Sequence, residues 1–265
     1  MDFFKNLVDA LFTPKTLESA MRRAGYATDQ MGIRSRYLRE KVNWQSHVDN
    51  TKQYIMDAVG NADKRGSVAV LGSGWLYDVP LDELSHAFAD VYLVDIVHPE
   101  PVKVRVARMP NVHLVTMDLT GGAVQMAAQS ASFADFLETF NSSSLLADLN
   151  RYDVVVSVNL LNQLDIIICD YLKRRFRVDD DQLRQVRVAI QQRHIDALPE
   201  GRSCLITDYV QVDSPIDGTA VNETPLIYCQ IPENKSFKEW IWVFDTNQRY
   251  SVKNNTTFRV KAVCF

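Results

Sequence analysis

From Ser67 onward, short aliphatic and β-branched runs alternate with segments of helical period. The runs are Ser67–Leu71, Val91–Val94, Val112–Thr116, Val154–Val158 and Ser203–Thr207. They are continuously apolar rather than alternating, as expected of strands covered on both faces. Strand and helix in this rhythm predict right-handed βαβ units and a doubly wound, Rossmann-like α/β sheet. The last 30 or so residues break the rhythm. Trp240–Phe244 and Phe258–Cys264 flank a polar stretch, Asp245–Thr257, with no helix between them. They should pair as an antiparallel hairpin and complete a seven-stranded sheet. The segment Gly121–Asn150 is longer than a simple crossover and should hold one or two helices, with Asn141–Ser144 as a loop.

The first 66 residues have a different texture. Phe3–Phe12 is amphipathic and Pro14 interrupts it. Between Ser35 and Val59 an apolar stripe recurs at Tyr37, Trp44, Val48, Thr51, Ile55 and Ala58, close to helical period. Gly60 is a plausible stop, and Asp63–Gly66 reads as a turn. We therefore divide the chain into a helical N-terminal extension, 1–66, and a sheet domain, 67–265. The extension is too small for a robust core of its own, so its stripe must bury against the sheet domain. Charge changes at the same boundary, from +3 over residues 1–66 to −7 over the remainder. Arg34, Arg36, Arg39 and Lys41 cluster near Trp44 and His47. The expectation is a positively lined lid over an acceptor pocket, with Trp44, His47 and Arg39 as substrate contacts suited to a carboxylate or phosphate.

Composition adds mainly exclusions. With 265 residues, 46% hydrophobic and 23% charged, the chain can bury a sizeable core and is not a disordered one. No apolar stretch reaches the ~18–20 residues that span a bilayer, and the N-terminus lacks the basic start of a secretory signal. A net charge of −4 argues against nucleic-acid binding through charge alone. Lys173–Arg177 could suggest a basic patch, but Asp179–Asp181 beside it cancels the charge, so a solvated helix end is expected. DNA is not indicated, and RNA stays open. The cysteines at 169, 204, 229 and 264 show no zinc spacing. We expect a cytoplasmic protein with reduced core cysteines and no metal.

Ligands of open α/β sheets bind beyond the carboxyl ends of the strands. Here those ends carry Gly72, Gly74, Asp95, Asp118, Asn159 and Asp208. The turn Leu71-Gly72-Ser73-Gly74-Trp75-Leu76-Tyr77-Asp78 lacks the third glycine of a dinucleotide fingerprint, because Tyr77 stands there, and it has no Gly-Lys-Ser/Thr phosphate loop. An acid ends the next strand about 20 residues on, where it can accept from a ribose diol. A tight turn and a diol acceptor without a phosphate cradle suit an adenosine ligand lacking phosphates.

Over roughly residues 67 to 265 the chain resembles the class I S-adenosylmethionine-dependent methyltransferases. The phrase Val70–Leu81 together with Val94–Pro99 looks like a bacterial subgroup of methyltransferase-like proteins of uncharacterised activity. The resemblance implies that Gly72, Ser73 and Gly74 flank the methionine portion of the cofactor and that Asp95 holds the ribose. It implies that Asp118 meets the adenine amino group and that Asn159 lies near the transferred methyl. The family usually has an acid two residues before the first glycine, where this chain has Val70. Asp78 or backbone carbonyls would then accept from the ammonium group. Asn159-Leu160-Leu161-Asn162 is not the Asn-Pro-Pro-Tyr type, so methylation of DNA base amines is not implied.

His98 is the best single general-base candidate, its ordinary pKa lying near neutrality. His194 is expected on a helix face, within a helix spanning Asp180 to Leu198, and Asp208 as a loop residue. The reading that results is methyl transfer from S-adenosylmethionine to a small molecule at oxygen or nitrogen. The rivals are a non-catalytic cofactor-binding regulator and, disfavoured by Tyr77, a nicotinamide oxidoreductase.

Overall fold

The computed structural model describes residues 26–143, 148–232 and 237–265, with side chains from residue 31 on. Phe3–Phe12 and Pro14 lie outside the described residues. Among the described residues, the apolar stripe of the extension lies on one helix, α1 (Tyr26–Gly60), which ends at the anticipated glycine. Strands β1 (Ser67–Leu71), β3 (Val112–Thr116) and β4 (Val154–Val158) have the anticipated limits. β2 (Asp90–Asp95) starts one residue earlier. The crossovers are α2 (Leu81–Ala87), α3 (Glu100–Val106), α4 (Ala123–Gln129), α5 (Phe133–Ser142), α6 (Ile166–Arg175) and α7 (Asp180–Ala197). Asn141 and Ser142 belong to the last turn of α5 rather than to a loop.

The remaining strands are β5 (Ser203–Pro215), β6 (Asn222–Pro225), β7 (Phe237–Asp245) and β8 (Asn254–Cys264). Among the described residues, eight strands, not seven, form the sheet in the order β3-β2-β1-β4-β5-β8-β7, with β6 paired to β5 off this path. β1 to β5 run parallel to one another, β5 pairs antiparallel with β6 and β8, and β7 and β8 form the antiparallel hairpin. β5 does not stop at Thr207: it continues against β8 through a bulge between Asp208 and Val210. Its parallel pairing with β4 nevertheless ends at Ile206. Asp208 thus sits inside a strand yet at the carboxyl edge of the parallel sheet.

Strand alternation splits the core into two layers. Ala69, Leu71, Val155 and Leu205 face α4 to α7, packing with Phe136, Phe140, Leu172 and Ile190. Val68, Val70, Val156 and Ile206 face α1 to α3, packing with Ile55, Leu84 and Val102. The stripe residues Trp44, Val48, Thr51 and Ile55 are buried, while Tyr37 and Ala58 are partly so. At the other end of the chain's basic run, Asp179 caps α7 in a reciprocal box with Gln182. The acidic run there is thus a helix start as well as a charge balance.

Candidate functional site

Beyond the carboxyl ends of β1, β2, β4 and β5 lies a cleft enclosing about 240 Å³. Its floor is the Gly72–Gly74 turn, and α1 and the β7–β8 hairpin form the far wall. The turn starts as β1 ends: Gly72 N–H donates to Val94 O at 2.9 Å with φ +78°, and Gly74 has φ +44°. A Cβ on Gly72 would lie 2.9 Å from both Val158 O and Leu160 Cβ. Gly72→Ala therefore adds left-handed backbone strain to a backbone clash. We expect a loss of about 2–4 kcal/mol, read as a lower urea midpoint at unchanged slope.

At one end of the cleft, Asp95 Oδ2 accepts from Gly74 N–H at 2.7 Å and Oδ1 from Val97 N–H at 3.3 Å. The carboxylate is buried, and burial pushes it above its ordinary range despite these bonds. It braces the turn and keeps lone pairs for a ligand. Asp118 Oδ1 accepts from Thr120 N–H at 2.9 Å and from its hydroxyl at 2.5 Å. Asp118 Oδ2 is buried with no partner, and burial raises this carboxyl too. Asp95 and Asp118 line the same cleft as Gly72, Ser73 and Gly74.

At the other end, Asn159 follows β4 in a left-handed conformation, φ +47°, which Asn tolerates better than most residues. Its side-chain amide lies 2.6 Å from Asp78 Oδ2 and 3.1 Å from His47 Nε2. His47 stacks on Trp242 with ring centroids 3.9 Å apart, and Trp240 Nε1–H donates to its Nδ1 at 3.1 Å. Burial lowers the His47 pKa to about 3, so it is neutral at physiological pH. Asn162 Nδ2 donates to Asp208 Oδ2 at 2.7 Å, while Asn162 Oδ1 and Asp208 Oδ1 are buried without partners. No cation neutralises Asp208 among these contacts. Burial, with a smaller push from the nearby Asp78, raises it to about 6.

A stability consequence follows. Folded Asp208 holds its proton up to about pH 6, whereas in the unfolded chain it ionises near pH ~4. The stabilisation from native-state protonation is full below the unfolded value and is lost as pH rises through the folded one. Asp208→Asn removes that penalty. At pH 7.5 the variant should be more stable than the wild type by about 1–3 kcal/mol. Thermal scans at several pH values should show the gap close toward pH 4.

The aromatic wall is set by the hairpin. Trp44 Nε1–H donates to Phe244 O at 2.8 Å, and its ring packs on Trp242 and Phe244. The buried Glu40 accepts from Asn43 and from the backbone and hydroxyl of Thr246, tying α1 to the hairpin loop. Asp245 Oδ2 accepts from the N–H groups of Arg249 and Tyr250 at 2.7 and 2.8 Å. That turn brings Tyr250 to the cleft, where the Arg36 guanidinium lies over the Phe244 and Tyr250 rings at 4.7 and 4.9 Å.

Of the residues singled out in the sequence, Trp44, His47, Gly72, Ser73, Gly74, Asp78, Asp95, Asp118 and Asn159 line this one cleft. Arg39 does not: it is exposed on α1, and Arg36 lines the cleft instead. His98 is also outside the lining residues. Its Nε2 sits 3.1 Å from Val115 O, and burial lowers its pKa, so the structure holds it against β3 rather than beside Asn159. His194 lies in the opposite core layer, 2.8 Å from Ser157 Oγ. Asp208, expected as a loop residue, lines the cleft together with Asn162, which sequence reading had not singled out as a site residue. The signal for Asn162 was faint, a polar residue three positions past the β4 end. Trp240, Trp242 and Phe244 gave only a strand pattern. Tyr77, which replaces the third glycine, stacks on Tyr37 at 3.7 Å and joins the turn to α1. Among the described residues, none of the four cysteines is joined in a disulfide. Among the described residues, no cluster of three or more His, Cys, Asp or Glu is placed to hold a metal, and no helix is long and apolar enough to cross a membrane.

No protein-family model and no curated protein matches the chain. Solved structures do match. A complex of DhpI with SAM and HEP is 12% identical, with a TM-score of 0.38, over 90% of this chain and 97% of that one. The Burkholderia thailandensis 1,6-didemethyltoxoflavin-N1-methyltransferase, with 1,6-didemethyltoxoflavin and S-adenosylhomocysteine bound, is 10% identical at a TM-score of 0.39, covering 96% and 91%. The glycopeptide N-methyltransferase MtfA, complexed with S-adenosylmethionine, is 13% identical at 0.30, covering 81% and 94%. Likeness at this level transfers no activity, and the strand order of this chain is its own evidence for a Rossmann-like α/β fold with a cleft at the strand ends.

Proposed function

We propose that the cleft binds S-adenosylmethionine and that the protein transfers its methyl group to a small-molecule acceptor at oxygen or nitrogen. The observation that carries this reading is the series along one cleft: a glycine turn, the buried Asp95 braced on Gly74, and the partnerless Asp118 Oδ2. These groups fit an adenosine. Asp95 can accept from a ribose diol, Asp118 from an exocyclic amine, and the glycine turn admits a close ligand. Tyr77, stacked on Tyr37, stands where a dinucleotide turn needs glycine, which argues against a pyrophosphate. Bound there, the cofactor would supply a methyl group already activated as a sulfonium.

The chain's own contribution is then alignment, exclusion of water and disposal of a proton. Trp44, Trp242 and Phe244 keep the wall apolar, and Arg36 gives it one positive group. Asp208 is the carboxyl available to take a proton from a hydroxyl or ammonium acceptor. In this reading α1 is the acceptor-side cover of the sheet domain, not a separate domain. Asn159, at the strand end between the two halves of the cleft, orients the reacting groups.

Calorimetry with S-adenosylhomocysteine and NAD tests the cofactor half. We expect saturable binding of S-adenosylhomocysteine and none of NAD; the reverse would overturn the proposal. Transfer of a labelled methyl from S-adenosylmethionine to a panel of small amines, phenols and carboxylates tests the other half. Cofactor binding without transfer to any of them would instead favour a regulatory binding protein.

A further inference from the structure

The hydrogen bonds around His47 do not balance as a carboxylate network. Trp240 Nε1–H faces His47 Nδ1 at 3.1 Å, and an indole N–H can only donate. His47 Nδ1 must therefore accept. The neutral ring then carries its single proton on Nε2, which lies 3.1 Å from the terminal amide of Asn159. Two donors cannot face each other there. The two ends of an amide have nearly the same shape, so the surrounding bonds decide its orientation. Asn159 must present Oδ1 to His47. The same atom is then the one 2.6 Å from Asp78 Oδ2, and a carboxylate cannot face a carbonyl oxygen at that distance. It falls in the range of an O–H···O bond.

We propose that Asp78 is a neutral carboxylic acid in the free protein, its proton shared with Asn159 Oδ1 under the control of Trp240 and His47, and that a ligand ammonium takes that proton's place. The ammonium half rests on the functional reading above; the protonation half does not. Every element packed around Asp78 bears on the balance. From α1 come the neutral His47 and Lys52, from the turn after β4 Asn159 and Asn162, and from β5 the acid Asp208. The Asp78 backbone N–H and, less, Lys52 favour the carboxylate, as Asn159 would with its amide turned to donate. Burial works against it, and Asp78 is displaced upward on balance. Binding a cation reverses this: it supplies the missing counter-charge, Asp78 ionises, and a proton leaves to solvent. Asn159 Oδ1 keeps its bond from His47 Nε2–H, and the ligand ammonium donates to it and to the new carboxylate. No bond other than O–H is broken.

Two sources of ammonium fit, the amino-acid end of the cofactor and an amine acceptor. Calorimetry in buffers of different ionisation enthalpy separates them. S-adenosylhomocysteine carries the ammonium, and methylthioadenosine keeps the nucleoside without it. At pH 6 we expect S-adenosylhomocysteine to release protons to solvent on binding, and methylthioadenosine none. Release by a small primary amine added to the methylthioadenosine complex, with none on S-adenosylhomocysteine binding, would assign the ammonium site to the acceptor. Asp78→Asn should abolish release. Asp208→Asn should keep it and move its midpoint to lower pH, because a like charge is lost. Release that survives Asp78→Asn, or binding of both ammonium ligands without release between pH 5 and 7, would overturn the exchange. The infrared carbonyl band of a protonated carboxyl that Asp78→Asn removes and Asp208→Asn keeps checks the protonated state directly. That readout decides it even if S-adenosylhomocysteine fails to bind, an outcome that would sink the cofactor reading instead. A free protein lacking the band would refute the network.

Discussion

Asp95→Ala is expected to lower affinity for S-adenosylmethionine at least about tenfold, and toward a thousandfold if both ribose bonds are lost outright. Each charge-assisted hydrogen bond to a buried carboxylate contributes roughly 1.5–3 kcal/mol. The substitution also frees Gly74 N–H, which Asp95 Oδ2 holds at 2.7 Å, and so loosens the turn against which the ligand lies. Folding should suffer less than binding, because a raised carboxyl pays desolvation in the native state that the variant no longer pays. Calorimetric titration of the folded variant, with circular dichroism to confirm the fold, reads both effects. Unchanged affinity in a folded variant would remove Asp95 from the site.

Trp44→Ala should be the costliest single change on α1. The side chain is 4% exposed, packs between Trp242 and Phe244, and donates its indole N–H to Phe244 O. Truncating a buried aromatic of this size costs about 3–5 kcal/mol. The loss falls at the contact between α1 and the β7–β8 hairpin, so denaturation should show lower stability together with easier proteolysis of α1. Trp44→Phe keeps much of the packing and loses the hydrogen bond, and should cost about 1–2 kcal/mol. If α1 is the acceptor-side wall, as proposed, both variants should impair transfer more than cofactor binding. A Trp44→Ala protein with wild-type stability and transfer would show that α1 is neither a packed element nor a wall of the site.

The parallel strands were legible because burial on both faces demands a continuous apolar run, and Val154–Val158 can be little else. The strand-end glycines and acids were legible because a right-handed crossover leaves the carboxyl ends of parallel strands on one side. That places Gly72, Asp95, Asp118 and Asn159 in one cleft without knowledge of any contact. β6 was not legible, since its residues are exposed and carry no apolar pattern. The second half of β5 was hidden for a related reason. Past Asp208 the strand leaves β4 and is half-covered, so its sequence becomes polar.

Alternation of strand and helix, an apolar stripe on α1 and the position of short polar residues after strands were thus properties of the chain itself, because periodicity and chain reach act locally. Which arginine enters the cleft, where His98 points, and that His47, Asn159, Asp78 and Trp240 form one network were decided only by tertiary structure. Arg36 and Arg39 differ by less than one helical turn, and the crossing of α1 over the hairpin selects between them. His98 is drawn to Val115 O by the pairing of β2 with β3. The network joins residues up to 193 positions apart, and its proton balance depends on burial and on donor-to-acceptor matching, which no linear pattern encodes.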